Sequence, residues 1–119
     1  LWNGMIMAEK LYGPPLRDAV NELNDKGSIE DILKYLISED IKGYPRTSYS
    51  CPLAIYFKKK LGFDVQVFPD CKMVWSVTPI SKRIPISLLE NLSVIAEMID
   101  GCSPRPDELK ELFDKIVIN

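Results

Sequence analysis

The residues best suited to chemistry lie in the segment RTSYSC, residues 46–51, directly before a predicted helix. A cysteine at a helix N-terminus can have its pKa lowered by the partial positive charge of the free backbone N–H groups. Cys51 is therefore a candidate nucleophile or redox-sensing thiol. Free cysteines are also frequently buried as small apolar residues. Because the chain has no histidine to accept the thiol proton, packing in the core or helix capping is the favoured interpretation.

The same segment is a candidate anion site. One guanidinium and four hydroxyls precede a helix start, where unpaired backbone N–H groups attract phosphate or carboxylate. The alternative is that these hydroxyls cap turns and bond the loop to itself. The chain contains no glycine-rich phosphate-binding motif. The predicted ligand- or anion-binding residues are Arg46, Thr47, Ser48, Ser50 and Cys51.

The absence of histidine excludes Ser-His-Asp hydrolysis, Cys-His proteolysis and histidine-ligated metal catalysis. The three cysteines, Cys51, Cys71 and Cys102, are widely spaced and form no C-x-x-C pair, so neither a disulfide framework nor a closed zinc site is expected. The sequence therefore predicts a protein without metal or cofactor that is not an enzyme. A small enzyme that uses a thiol or a carboxylate is a third functional hypothesis, after the protein-binding and nucleic-acid-binding hypotheses given below.

Charge is unevenly distributed along the chain. The net charge is −2, but residues 41–83 carry eight Lys/Arg and only two Asp/Glu, while both flanks are acidic. This layout indicates either a central site for an anionic partner or internal pairing of the centre with its flanks. Internal pairing is the favoured interpretation.

Hydrophobic periodicity and capping signals predict one small α+β domain, with five helices around a two-stranded antiparallel hairpin in the order ααα-ββ-αα. Residues 1–14 are expected to be an N-terminal extension, and residues 15–119 the globular domain. Two capping boxes are expected, Ser28 with Asp31 and Ser87 with Glu90. A basic connector should follow the hairpin. The predicted elements are helices at 15–26, 29–38 and 50–61, a hairpin at 63–78, a helix from the Ser87/Glu90 box to Gly101, and a helix from Pro106 through Ile116.

The outer face of the third helix places an apolar side chain, Ile55, between lysines. Together with the hairpin tryptophan and the basic connector, it could form an apolar centre with a charged rim, as protein interfaces do. A lone two-stranded ribbon also has open edges that a partner strand or a second copy could pair with. The predicted interface residues are Ile55, Lys58, Lys59, Trp75, Lys82 and Arg83.

Nucleic-acid binding is the main alternative function. Helix 50–61 and hairpin 63–78 would be the recognition helix and wing of a winged helix, within the basic centre of the chain. The preceding loop is longer than a helix-turn-helix turn, however, and Pro52 and Ile55 lie where base-reading polar groups are needed.

No apolar run approaches the roughly 18 residues that cross a bilayer, and the first residues lack a signal-peptide pattern. A cytoplasmic location without membrane association is therefore expected. The stretch CPLAIYFKKKLGFDVQV resembles segments of small bacterial proteins, a resemblance that implies no particular activity. The favoured prediction is a small non-enzymatic accessory or regulatory protein of bacterial type that binds another protein, or its own copy as a homodimer.

Overall fold

The computed structural model describes residues 2–77 and 83–118. These residues form a mixed α+β domain with five helices and one antiparallel sheet, which confirms the predicted fold class. The sheet has three strands, however, so the predicted two-stranded hairpin is wrong. The elements in chain order are α1 (Trp2–Asn24), α2 (Ile29–Ser38), α3 (Pro52–Leu61), β1 (Val65–Phe68), β2 (Met73–Val77), β3 (Arg83–Ser87), α4 (Glu90–Asp100) and α5 (Asp107–Ile116).

The third strand occupies part of the segment that was expected to be a basic connector. The sheet order is β1-β2-β3, with Val67 opposite Val74 and Trp75 opposite Pro85. Proline is tolerated in β3 because this is an edge strand, where the missing N–H faces away from the ladder. Ile84 and Ile86 lie on one face of the strand with Pro85 on the other, and Ile86 is buried. The proline obscured that alternation in the sequence.

The first helix begins earlier than predicted. Pro15 suits the first turn of the predicted helix at 15–26, but it lies, with Pro14, inside a helix that starts at Trp2. Each internal proline removes a helical hydrogen bond, yet tertiary contacts secure this part of the helix to the sheet. The rings of Tyr12 and Phe63 meet edge to face with centroids 4.9 Å apart. The division into an extension at 1–14 and a domain at 15–119 stays a prediction.

Capping chemistry defines most other helix ends. The predicted box at α2 is present, since the Asp31 N–H donates to Ser28 Oγ and the Ser28 N–H donates to the Asp31 carboxylate. Helix α3 begins after Cys51 and ends at Gly62, whose φ of 82° is left-handed. The predicted box at α4 is wrong, because Ser87 ends β3 and pairs with Met73.

The core lies between the inner face of the sheet and the helices. The inner face consists of Val65, Val67, Val74, Ser76 and Ile86, all buried. On the helical side, Phe57 of α3 and Phe113 of α5 are fully buried. Burying one such side chain contributes roughly 1.5–3 kcal/mol, so these two rings are major contributors to folding. Within the described ranges, no helix is both long and apolar enough to span a bilayer.

Candidate functional site

The loop between α2 and α3 is joined to the C-terminal end of the chain. The Gly43 N–H donates to the Ile116 carbonyl at 2.9 Å, and the Ile118 N–H donates to the Gly43 carbonyl at 2.7 Å. Gly43 and Val117 thereby form a parallel bridge. A side chain at Gly43 has no room, because a Cβ atom there would lie 2.5 Å from the Ser50 carbonyl oxygen. Glycine is needed here for close backbone approach.

The loop is also closed on itself and fixed to two further elements. The Tyr44 N–H donates to the Ser50 carbonyl at 2.8 Å, and the Val67 N–H of β1 donates to the Ser48 carbonyl at 2.9 Å. Arg46 adopts a left-handed backbone conformation with φ 58°. Its N–H donates to Asp100 Oδ1 at the end of α4, at 2.8 Å. Bonds to β1, α4 and the C-terminal segment therefore hold the loop in one conformation.

This fixed loop displays apolar side chains in solvent. Among residues 9–77 and 84–118, whose side chains the structure describes, four large apolar residues are exposed. Three of them lie here: Tyr44 at 51%, Tyr49 at 48% and Ile118 at 39%. The backbone bonds to Gly43 and Ser50 bring these three residues to the same end of the molecule, and Arg46 between the tyrosines is also exposed. We call the set Tyr44, Arg46, Tyr49 and Ile118 the loop surface. Tyrosine and arginine are enriched among the residues that dominate binding energy at protein interfaces.

A groove adjoins the loop surface and shares Ile118 with it. The groove lies between the C-terminal ends of α2 and α5 and has a volume of about 630 Å³. Ile37, Ile41 and Val117 supply apolar lining, while Lys42 and Asp114 supply charges of opposite sign. The exposed apolar residues thus continue into a concave region.

The predicted anion-site residues lie in this loop, but only some of them face solvent. Arg46 and Thr47 are exposed, Ser48 and Ser50 are half-buried, and Cys51 is buried. The Thr47 hydroxyl accepts the Ser50 N–H at 3.1 Å. This bond within the loop corresponds to the alternative in which the hydroxyls stabilise turns.

Cys51 is a helix cap in a buried position. Its Sγ accepts the Ala54 N–H at 3.4 Å, and the residue is 5% exposed. Burial raises the pKa of the Cys51 thiol to about 11, an effect that the hydrogen bond from Ala54 only partly offsets. The thiol is therefore protonated at neutral pH, which is the opposite of what a reactive nucleophile needs.

Two lysines of the predicted interface, Lys58 and Lys59, have partners inside the chain. Lys58 pairs with Asp64 at 2.9 Å, and the Lys59 ammonium donates to the Glu39 carbonyl at 2.8 Å. The neighbouring Lys60 pairs with Glu22 of α1 at 2.8 Å. Only the Lys60–Glu22 pair joins the basic centre to an acidic flank, because Asp64 belongs to the centre and Glu39 accepts through its backbone carbonyl.

The remaining interface residues are divided between two parts of the molecule. Ile55 is half-buried and packs against the core. Trp75 is half-buried on the outer face of the sheet, the face that does not carry Val74 and Ser76. The centroid of its ring lies 5.1 Å from that of Phe68. Arg83 is the first residue of β3, opposite Val77. Lys82 lies outside the described residues.

Sequence analysis placed a site in this loop but missed the residues that the loop presents most openly. Tyr49 was counted only as a hydroxyl donor, and Tyr44 and Ile118 were not singled out. A signal was available, since long loops with aromatic residues frequently carry function. The exposure of Ile118 had no such signal, because it depends on the bridge between Gly43 and Val117.

Comparison of the chain with known protein families, with curated proteins and with solved structures found no match.

Proposed function

We propose that this chain is a small non-enzymatic binding protein with an accessory or regulatory role, and that it contacts a protein partner through the loop surface. The observation that carries the proposal is the clustering of Tyr44, Tyr49 and Ile118, three of the four large apolar residues that are exposed among the side chains described at 9–77 and 84–118. Exposed apolar side chains that are grouped together, rather than scattered singly, mark interaction sites.

Rigidity of the loop supports the same proposal. A loop that is already ordered loses little conformational entropy on binding, so more of its contact energy appears as affinity. Four bonds between backbone groups order this loop: Gly43 to Ile116, Ile118 to Gly43, Tyr44 to Ser50 and Val67 to Ser48. The Arg46 N–H adds a bond to the Asp100 carboxylate. Large side chains on a fixed backbone are typical of preorganised binding surfaces.

Both edges of the sheet are poorly suited to pairing with a partner strand. Pairing through an open strand edge was one way in which this chain could bind a partner. On one side of the sheet, the Val67 N–H of β1 is occupied by Ser48. On the other side, β3 contains Pro85, which removes a donor from the edge. Edge pairing is therefore less favourable than contact through the loop surface.

The buried, protonated state of Cys51 supports a binding role over thiol chemistry. Its pKa of about 11 leaves almost no thiolate at neutral pH. Contacts of Lys58, Lys59 and Lys60 with the chain's own oxygen atoms likewise weigh against a phosphate-tracking role for α3.

The test compares the wild-type chain with a Tyr44→Ala/Tyr49→Ala variant. Each is expressed as a tagged protein in its native cells, and co-purifying proteins are quantified by mass spectrometry, with light scattering to detect self-association. The control is Leu11→Ala, which removes the other exposed large apolar side chain, 59% exposed. We expect a specific protein, or a second copy, to be lost from the double variant and retained by the control. Equal recovery from all three chains would refute the proposal.

A further inference from the structure

We infer that the loop surface recognises an acidic segment of another protein, and that the Arg46 guanidinium makes the charged contact. This inference rests on the proposed function and adds the chemistry of the partner. It starts from the distribution of charge around the loop. Residues 41–51 contain Lys42 and Arg46 but no aspartate or glutamate.

The cations of this loop differ from those of α3. Lys58 and Lys60 form ion pairs within the chain, and Lys59 donates to a backbone carbonyl. Lys42 and Arg46 are exposed, and neither belongs to an ion pair among residues 2–77 and 83–118. Their charges are therefore available to an anionic partner, and complementary charge is the property that selects partners and orients them.

The backbone of Arg46 gives a second, independent argument. Its φ of 58° lies in the left-handed region, which glycine and asparagine adopt at lower energy than arginine does. The local conformation therefore does not need an arginine. What arginine adds at this position is its side chain, on a backbone that the Asp100 carboxylate fixes through the Arg46 N–H at 2.8 Å.

The neighbouring side chains define which acidic ligand fits. A guanidinium binds a carboxylate through two parallel hydrogen bonds, and Tyr44 and Tyr49 add apolar faces on either side in the sequence. Ile118 and the groove of about 630 Å³ extend the apolar contact area. An extended segment in which carboxylates alternate with apolar side chains satisfies both kinds of contact.

The probe is a fluorescein-labelled dodecapeptide of alternating glutamate and leucine, and its match has glutamine in place of glutamate. Binding is measured by fluorescence anisotropy at low and moderate salt. We expect the acidic peptide to bind at least about tenfold more tightly than the glutamine peptide, the scale of a charged hydrogen bond, and to weaken with salt.

Arg46→Gly is the decisive variant, because glycine suits the left-handed backbone and leaves the fold intact. We expect it to weaken the acidic peptide at least about tenfold without lowering the urea midpoint of unfolding. The matched control, Lys10→Ala, removes an exposed cation elsewhere and should leave binding unchanged. Arg46→Lys keeps the charge but not the planar fork, and should bind with intermediate affinity.

Each of the following outcomes would overturn the inference. Equal affinity for the two peptides, or no effect of Arg46→Gly, would show that charge at Arg46 is not recognised. Tighter binding of an oligothymidylate dodecamer than of the acidic peptide would assign the surface to nucleic acid instead. A dimer that Arg46→Gly dissociates, without peptide binding, would identify the partner as a second copy. Where co-purification still depends on the two tyrosines but the acidic peptide does not bind, the proposed function stands and the inferred chemistry fails.

Discussion

Replacing Gly43 by alanine tests how the loop surface is held in place. The added Cβ atom would lie 2.5 Å from the Ser50 oxygen, 2.7 Å from the Pro52 nitrogen and 2.8 Å from the Cys51 carbonyl carbon. All three are backbone atoms, so no side chain can rotate away to make room. The loop must move, or the clash must remain.

Both responses are costly. Overpacking of this kind typically costs about 1–3 kcal/mol. Movement of the loop would instead break the bonds of Gly43 with Ile116 and Ile118, each contributing about 1 kcal/mol. Alanine also restricts the unfolded chain, which returns about 0.4–1 kcal/mol. After this offset, we expect Gly43→Ala to lower the free energy of unfolding by about 1–2 kcal/mol.

Gly62→Ala is the matched control. Gly62 has φ 82° and no neighbouring atom within 4 Å of an added Cβ, so its only cost is the left-handed conformation, about 1 kcal/mol. Urea unfolding followed by circular dichroism measures both variants. With a slope of about 2 kcal/mol per M, the midpoint should fall by about 0.5 to 1 M for Gly43→Ala and by less than about 0.3 M for Gly62→Ala, where the same unfolded-chain effect offsets most of the cost. A Gly43 variant as stable as the Gly62 variant would refute the close-approach argument.

Three further predictions concern the thiol, the lysines and the capping box. In the folded protein, iodoacetamide at pH 8 should alkylate Cys51 much more slowly than the exposed Cys71 and Cys102. Burial raises the pKa of Cys51 from 9.0 to about 11. The buried protonated thiol therefore makes its full contribution to the free energy of unfolding below pH 9, and this contribution is lost as pH rises toward 11. A Cys51→Ala variant should lack this decline in stability. Replacing Lys58, Lys59 and Lys60 by glutamine should change the affinity for the partner by less than about twofold, since exposed ion pairs contribute little. If instead the wild-type chain is retained on duplex DNA at low salt and this variant is not, the nucleic-acid alternative is supported. The hydrogen bond from the Ser28 backbone N–H holds the pKa of Asp31 below its ordinary value of 3.8, so the contribution of this carboxylate is present above that pH and is lost as pH falls below it. The midpoint difference between wild type and Asp31→Ala, which lacks the carboxylate, should therefore shrink on acidification.

Elements with strong local signals were predictable from sequence. Helix α2 matches its predicted bounds because Ser28 and Asp31 cap it within one turn. Helix α3 matches because Pro52 suits its first turn and Gly62 its left-handed end. In both cases the residues that determine the element lie next to it in the chain.

Proline misled the prediction at two places, since its local preference was overridden by tertiary contacts. Pro15 predicted a helix start, but packing of Tyr12 on Phe63 accompanies a helix that continues toward the N-terminus. Pro85 predicted a connector, but its segment pairs with β2 as an edge strand. A sequence pattern does not reveal that an edge position is available.

The candidate site was only partly predictable for a related reason. The turn-rich composition located the loop, and Arg46 was identified as a binding residue. Which side chains face solvent depends on bonds to Val67, Asp100 and Ile116, all distant in sequence. Those contacts bury Cys51 and expose Tyr44 and Tyr49, so the main binding candidates shifted from hydroxyls and a thiol to aromatic rings.

Photocrosslinking from position 49 tests the central claim most directly. A photoreactive phenylalanine analogue replaces Tyr49 in one chain and Leu11, the most exposed large apolar residue described, in another. On irradiation in native cells, position 49 should give a discrete adduct that disappears when Tyr44→Ala is added, while position 11 gives none. A discrete adduct from position 11 with none from position 49 would contradict the assignment of the loop surface as the binding site.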